Sequence, residues 1–394
     1  MRLLLVTAGT RGDVEPFVAL ARRALARGHE VVLAAPDGSG ADLDGIDVRS
    51  LGVDYSRLIA EQGTSVVAAA RSFRTVVRPL MHAVLVESAR IGLEVAPDVV
   101  VHHPKILSAP MLASRVGAAS VLAELVPTVT PTRAFPAAGT APGSLGPFNR
   151  LTYAAAAGAA AMFRGELRAA AAVLGSDEVA PTAATLVPVS PSILARPADW
   201  PADVHLTGAW MSEADPKPLD PTVDAFLNRG ASAVIGFGSM AGGDALTRGR
   251  ALVGAARSRG LQSLVMRGWG GVDVPPDALG DDVLVVDQAP HALVLPRAAV
   301  AVHHGGAGTV HAAVRAGAPS IVVPFLADQP FWARILHRSR LAAAPLRRRG
   351  LSERAAGRAI DEALGLREHV RRAAAAMERE DGTGSAMEII ERLR

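Results

Sequence analysis

The run His303-His304-Gly305-Gly306-Ala307-Gly308-Thr309 follows the apolar stretch Ala299-Val300-Ala301-Val302 and leads into a helical pattern. A buried strand that turns through glycines directly into a helix aims unpaired N–H groups, and the positive end of the helix dipole, at one point. Such a point binds anions, phosphate above all. Glycine lets the backbone approach a ligand closely, and imidazole and hydroxyl groups can bond phosphate oxygens. The chain has no GxxxxGK[ST] loop, so the phosphate lysine of that motif is missing. The plainer alternative is a tight turn whose glycines serve packing alone.

A second cluster reads Thr7-Ala8-Gly9-Thr10-Arg11-Gly12-Asp13-Val14-Glu15-Pro16. Its pattern predicts a strand over Leu3–Thr7, a loop to Glu15 and a helix from about Pro16 to Arg27, stopped by Gly28. Asp13 then stands beyond a strand end, where a carboxylate can take a proton from a substrate hydroxyl. It is equally suited to cap the helix. Glu15 is the weaker base, since an acid there merely complements the helix dipole.

Other strand ends carry further candidates. In Gly236-Phe237-Gly238-Ser239-Met240, Ser239 could donate to a phosphate; the glycines resemble part of a dinucleotide fingerprint, but Ala241 stands where its third glycine belongs. Arg267 and Trp269 could line a nucleoside pocket or form a surface turn, and Gln288 follows the next strand. Asp328 and Gln329 could hold sugar hydroxyls. His102 and His103 end a first-half strand, as core histidines or as the lining of an acceptor site. Phe73, Val76, Val77, Leu80, Met81, Val84 and Leu85 recur at helical spacing, for core packing or an apolar pocket. No GxSxG elbow and no metal-ligand spacing occurs, so neither a serine hydrolase nor a metal is assigned.

These residues need elements to hold them. In the first half, Val31–Ala34, Asp98–His102 and Ser120–Ala123 read as further strands. In the second half Ala233–Phe237, Ser263–Met266, Val283–Val286, Val300–His303 and Ser320–Val323 do so, with helices between most of them. Such alternation implies parallel sheets with right-handed crossovers, and ligands of such sheets bind beyond the carboxyl ends of the strands. At 394 residues, 49% hydrophobic, the chain exceeds one ordinary core. The expected class is α/β, with two Rossmann-like doubly wound domains facing each other across a cleft. The expected boundaries are a first domain over 1–200, a linker over 201–220 within the proline-rich stretch Pro188–Pro221, a second domain over 221–375, and a C-terminal helix in 376–394 packing back on the first domain.

Composition excludes more than it assigns. With no cysteine there are no disulfides and no thiolate chemistry. Net charge is only +3, and two tyrosines with nine phenylalanines leave few platforms for bases, so nucleic acid is not an expected partner. The apolar run Leu3–Ala8 is too short for a secretion signal and no stretch approaches the ~20 apolar residues of a membrane span. A cytoplasmic protein, without stable membrane insertion and of unassigned oligomeric state, is the expectation.

Taken in order, Thr10–Pro16, Pro127–Pro136, Thr207-Gly208-Ala209-Trp210, Gly236–Met240, Arg267-Gly268-Trp269, His303–Thr309 and Asp328-Gln329-Pro330 resemble the inverting GT-B glycosyltransferases of bacterial natural-product pathways. The glycopeptide-antibiotic enzymes are the nearest type, and sterol 3-β-glucosyltransferases share the motifs. The resemblance spans nearly the whole chain. It implies transfer of a sugar, with inversion, from a TDP- or UDP-sugar to a hydroxyl of a hydrophobic aglycone such as a polyketide or peptide. The nucleotide sugar is a co-substrate, and no other cofactor is implied. By resemblance Asp13 is the general base. Thr10, Arg11, Ser239 and His303, His304, Gly305, Gly306, Ala307, Gly308 and Thr309 lie at the donor phosphates. Arg267, Trp269 and Gln288 lie at the nucleobase, and Asp328 and Gln329 at the donor sugar. His102, His103, Phe73 and Met81 are candidates for the acceptor. The alternatives are a sterol or lipid glucosyltransferase, a nucleotide-sugar epimerase or hydrolase, a non-catalytic partner of another transferase, and an NAD-dependent oxidoreductase, the last disfavoured by the incomplete fingerprint.

Overall fold

A computed structural model describes residues 1–55, 73–141, 143–154, 158, 161–211, 218–238, 240 and 242–393. The chain divides into two compact units. One comprises Met1–Pro191, Arg196–Glu213 and Asp381–Arg394, the other Ser192–Ala195 and Ala214–Glu380.

The first unit is built on seven parallel strands: β1 (Arg2–Val6), β2 (Glu30–Ala35), β3 (Asp47–Ser50), β4 (Val99–His102), β5 (Ala119–Ala123), β6 (Thr182–Val187) and β7 (Val204–Leu206), in the order β3-β2-β1-β4-β5-β6-β7. Leu3, Leu4, Leu5 and Val6 are all fully buried because helices cover both faces, which is why β1 reads as a continuous apolar run rather than an alternation. Leu3 and Leu5 pack with Phe17 and Leu20 of α1 (Arg11–Ala26), whereas Leu4 and Val6 pack with Val84 and Leu85 of α2 (Arg78–Val95). To the second layer α3 (Ala109–Val116) contributes Leu112 and α4 (Arg164–Leu174) contributes Ala170.

Residues 201–220, read from their prolines as a linker, include β7, which pairs with β6 through Thr185, Leu186 and Val187. A strand of three residues needs no internal pattern, because the exposed edge of β6 supplies the template. Two further strands, β3 and β6, also escape the sequence reading; β3 is the short polar segment Asp-Val-Arg-Ser on the opposite edge.

The second unit has five parallel strands: β8 (Ser232–Gly236), β9 (Gln262–Met266), β10 (Val283–Val286), β11 (Ala298–His303) and β12 (Ser320–Val322), in the order β10-β9-β8-β11-β12. Its helices are α5 (Pro221–Leu227), α6 (Ala245–Arg257), α7 (Ala307–Arg315), α8 (Gln329–Arg338), α9 (Glu353–Gly365) and α10 (Arg367–Met377). The last helix, α11 (Gly382–Glu391), belongs to the first unit. Met387 and Ile390 lie in the cluster of Phe17 and Leu20, Glu391 pairs with Arg27 at 3.0 Å, and Arg23 pairs with Asp381.

In each sheet the winding reverses beside a central strand, at β1/β4 and at β8/β11. The loops leaving the two strands diverge there and open a crevice at their carboxyl ends, the usual ligand site of such sheets. No helix among the described residues is long and apolar enough to cross a membrane.

Because Ile390 is fully buried against α1, Ile390→Ala is expected to cost about 3 kcal/mol. Denaturant unfolding should show the loss in the transition of the first unit, with the second unit unchanged.

Candidate functional site

At the first crevice, β1 ends at Val6, and the chain crosses Gly9 into α1 with Thr10 as N-cap. The helix begins five residues earlier than expected, so Asp13 is neither a loop residue nor the N-cap itself. It occupies the third helical position, and its Oδ2 accepts the Thr10 N–H at 2.8 Å as the return arm of a capping box. The early start has a local cause: Thr10 and Asp13 satisfy the first-turn donors, and Pro16 is tolerated near the helix start.

Oδ1 of Asp13 meets two groups that leave β4, Lys105 Nζ at 3.0 Å and His103 Nε2 at 3.4 Å. His103 Nδ1 accepts the Lys105 N–H at 3.1 Å, so the neutral ring carries its proton on Nε2 and directs it to the carboxylate. Burial would raise the Asp13 carboxyl, but the Lys105 ammonium and the His103 bond outweigh it and hold the group well below the usual carboxylate range. His103 is itself pushed down by burial. The Tyr55 ring stands 6.0 Å from Lys105 Nζ, its buried hydroxyl has no partner among the described residues, and burial followed by the Asp13 charge raises its pKa. Gly9, at φ +142°, is required: any side chain would collide with the Asp13 carboxylate and the Lys105 ammonium.

Other first-unit candidates lie elsewhere. Arg11 is turned to Glu15, 2.6 Å away on the same exposed helix face. His102 faces inward with Nε2 3.3 Å from Ser120 Oγ, and burial lowers its pKa to about 4. Met81 is likewise in the core beside Leu4 and Leu85. Phe73 is half-buried against Phe163, ring centroids 5.8 Å apart. The sequence reading missed Lys105 and Glu124. Glu124, fully buried at the end of β5, accepts the N–H groups of Thr128, Val129 and Thr130 at 2.6, 2.5 and 3.1 Å and so fixes the Pro127–Pro136 segment. A lone acid followed by a Thr- and Pro-rich segment was the available signal.

At the second crevice, Gly236 and His303 are register partners on β8 and β11. The turn into α7 uses Gly305 at φ +90°, where a side chain would strike Val322 and the Gln329 carbonyl. Gly306 is the N-cap and offers no side chain, so among the described residues the N–H groups of Ala307, Gly308 and Thr309 stay open at the helix start. His303 Nδ1 accepts the Gly305 N–H at 3.1 Å, which puts the ring proton on Nε2. That Nε2 is buried and unpartnered among the described residues, as is His304 Nδ1. Burial, reinforced by neighbouring histidines, lowers His303 to about 3 and His304 to about 4, so both are neutral. Gly238 lies against the His304 ring; Ser239 is outside the described residues.

The remaining donor-side candidates divide. Trp269 is 44% exposed on a turn pinned by its N–H to the Gly238 carbonyl at 3.0 Å. Gln288 is exposed after β10. Arg267 is paired with Asp273 at 2.8 Å, a partner its reading as a base contact did not anticipate. Asp328 accepts the Trp332 indole N–H at 2.9 Å at the start of α8. Gln329 is buried; its Oε1 accepts the N–H groups of Phe325 and Leu326 at 2.7 and 3.0 Å, and its Nε2 faces Met240 Sδ. Its amide thus shapes the loop before α8. Among the described residues no group of three or more His, Asp or Glu could hold a metal ion.

Comparison with known proteins now decides the family. Residues 3–123 match the Glycosyltransferase family 28 N-terminal domain, and residues 274–393 the Erythromycin biosynthesis protein CIII-like, C-terminal domain. The chain is 32% identical to O-mycaminosyltylonolide 6-deoxyallosyltransferase of Streptomyces fradiae, over 99% of this chain and 97% of that protein. It belongs to the GT-B glycosyltransferases of the bacterial natural-product family. Vancomycin aglycone glucosyltransferase of Amycolatopsis orientalis is 31% identical over 84% of this glycosyltransferase and 83% of its own length. The fold agrees. The crystal structure of the glycotransferase of kitacinnamycin matches with TM-score 0.74 at 17% identity, covering 99% of this chain and 98% of that one. That of the glycosyltransferase VinC in complex with DTDP matches with TM-score 0.63 at 19% identity over all of both chains.

Since Asp13 titrates below its ordinary range in the folded protein, its ion pairs add stability at pH above about 4, the unfolded value, and lose it as pH falls through the folded one. Asp13→Asn is therefore expected to cost about 2 kcal/mol at pH 7. The gap from the parent should shrink as pH falls below about 4 toward the folded value, as followed by denaturant unfolding from pH 5 downward.

Proposed function

We propose that this glycosyltransferase moves a sugar from a TDP- or UDP-sugar to a hydroxyl of a hydrophobic natural-product aglycone, a polyketide or peptide, with inversion and with Asp13 as general base. The observation that carries the donor half is the buried, proton-bearing Nε2 of His303 beside the open first-turn N–H groups of α7. A buried donor without a partner is costly, and a diphosphate oxygen would satisfy it. Departure of the nucleoside diphosphate builds negative charge, which fixed N–H groups and the helix dipole stabilise without reorganising. Relatives that act on a tylonolide and on a vancomycin aglycone, and a structural neighbour holding DTDP, support this substrate class.

On the acceptor side, Asp13 stays ionised at any working pH. A carboxylate held low is a weak base, which suits a late proton transfer. As the acceptor oxygen bonds the anomeric carbon it becomes strongly acidic, so a positioned weak base suffices to take its proton. The atoms balance: the acceptor O–C bond forms, the anomeric C–O bond to phosphate breaks, and the proton goes to Asp13. Exposed Trp269 and Gln288 are proposed to meet the nucleobase, Asp328 the donor sugar, Thr10, Arg11 and Ser239 the donor phosphates, and Phe73 and His103 the acceptor side.

His303→Ala is expected to weaken TDP binding at least tenfold by calorimetry; an unchanged Kd removes the phosphate site. Asp13→Asn should keep TDP affinity while transfer to an aglycone panel falls at least a hundredfold, read by mass spectrometry. Retained transfer removes Asp13 as base, and free sugar as the sole product would favour a hydrolase instead.

A further inference from the structure

Of the 41 basic residues in the chain, all but Lys105 and Lys217 are arginine. One of those two lysines stands on the carboxylate assigned above as base. Where a chain so consistently uses guanidinium for positive charge, an ammonium at this place calls for a geometric reason, and the packing around Gly9 supplies one. The Lys105 Nζ sits in a notch bounded by the Ala8 carbonyl at 3.0 Å, Asp13 Oδ1 at 3.0 Å and Gly9, whose missing side chain leaves the room it needs. A compact ammonium fits there; the broad, planar guanidinium fork does not.

We propose that Lys105 is a positioning residue of this transferase, its ammonium clamping Asp13 Oδ1 to the Ala8 carbonyl so that the carboxylate stays ionised and fixed toward the acceptor hydroxyl. This deepens the reading of Asp13 as base and rests on it. The clamp works with what the helix already provides. Oδ2 is tied to Thr10 on α1, and His103 holds Oδ1 from the buried side, 7% exposed. Lys105, with its side chain 42% exposed, holds it from the open side. Of the three ammonium protons two are spent on Ala8 and Asp13, and the third stays available to an incoming oxygen. Among the described residues the charged and titratable groups around Asp13 are Lys105 and His103 from the segment after β4, Tyr55 from the segment after β3, and Arg11 and Glu15 on α1, the last two paired with each other. Lys105 is thus the cation that can hold Asp13 ionised, since His103 is kept neutral by burial.

The test is a carboxyl ¹³C NMR titration of Asp13, its signal assigned with Asp13→Asn, in the parent, Lys105→Met and Lys105→Arg proteins. Methionine replaces the stem without the charge. In Lys105→Met the Asp13 midpoint is expected to rise by at least one pH unit, and the acid limb of kcat/KM for transfer should rise with it, while TDP affinity stays near the parent value and the unfolding midpoint at pH 7 falls only by what the lost ion pair accounts for. Lys105→Arg should keep the midpoint low yet lower kcat at least tenfold, because the fork cannot occupy the notch. An unchanged Asp13 midpoint in Lys105→Met, or full kcat in Lys105→Arg, overturns the proposal. If Asp13→Asn retains transfer while the midpoint still moves in Lys105→Met, the base reading fails and the ion-pair control stands, so the two failures are distinct.

Discussion

The constraint on which both crevices depend is the reversal of winding in a parallel sheet. Beside β1 in one unit and β8 in the other, successive crossovers run in opposite directions, and the loops leaving adjacent strands must part. Backbone pairing then sets which residues face the opening. Val6 is level with His102, so the segment that follows β4 brings His103 and Lys105 to the carboxylate on α1. Gly236 is level with His303, so the glycine turn after β8 lies against His304. Neither arrangement could survive a one-residue slip, because it would move His102 and His303 out of level with Val6 and Gly236.

The two crevices carry opposite electrostatic characters by similar means. In the first, a carboxylate is kept charged by an adjacent ammonium and by helix N-terminal donors. In the second, burial strips two histidines of charge, and the attraction for an anion comes from dipoles and open N–H groups. Neutral donors fixed by the backbone suit a group whose negative charge develops as its bond breaks, since they need no reorientation. In the proposed reaction, a permanently ionised carboxylate suits an acceptor whose proton becomes acidic only as its oxygen is bonded. On that proposal each unit serves one half of a group transfer.

Around these points the buried polar groups are turned to support. Glu124 spends its carboxylate on three consecutive N–H groups, Gln329 its carbonyl on two, and His102 its ring on Ser120. The first two tie segments beyond strand ends to the body of their own unit, and the third joins neighbouring strands β4 and β5. Buried polar groups that are fully used in this way fix loop shape, because any other loop path would leave them unsatisfied.

The sequence by itself determined the sheets and the two glycine turns. Parallel strands covered on both faces must be continuous apolar runs, and nine of the twelve strands carried that signal; the short or weakly apolar β3, β6 and β7 owe their conformation to a neighbour's free edge, which no local pattern reports. His303, Gly305 and Asp13 stood out because glycines and polar groups interrupt apolar runs only at strand ends. What tertiary structure alone decided is which polar side chains remain available. Gln329 and His102 have their hydrogen-bonding atoms engaged inside their own unit, while Lys105, unremarked in the chain, meets a carboxylate 92 positions away. Partner choice depends on distances across the sheet, and sequence spacing carries no information about those.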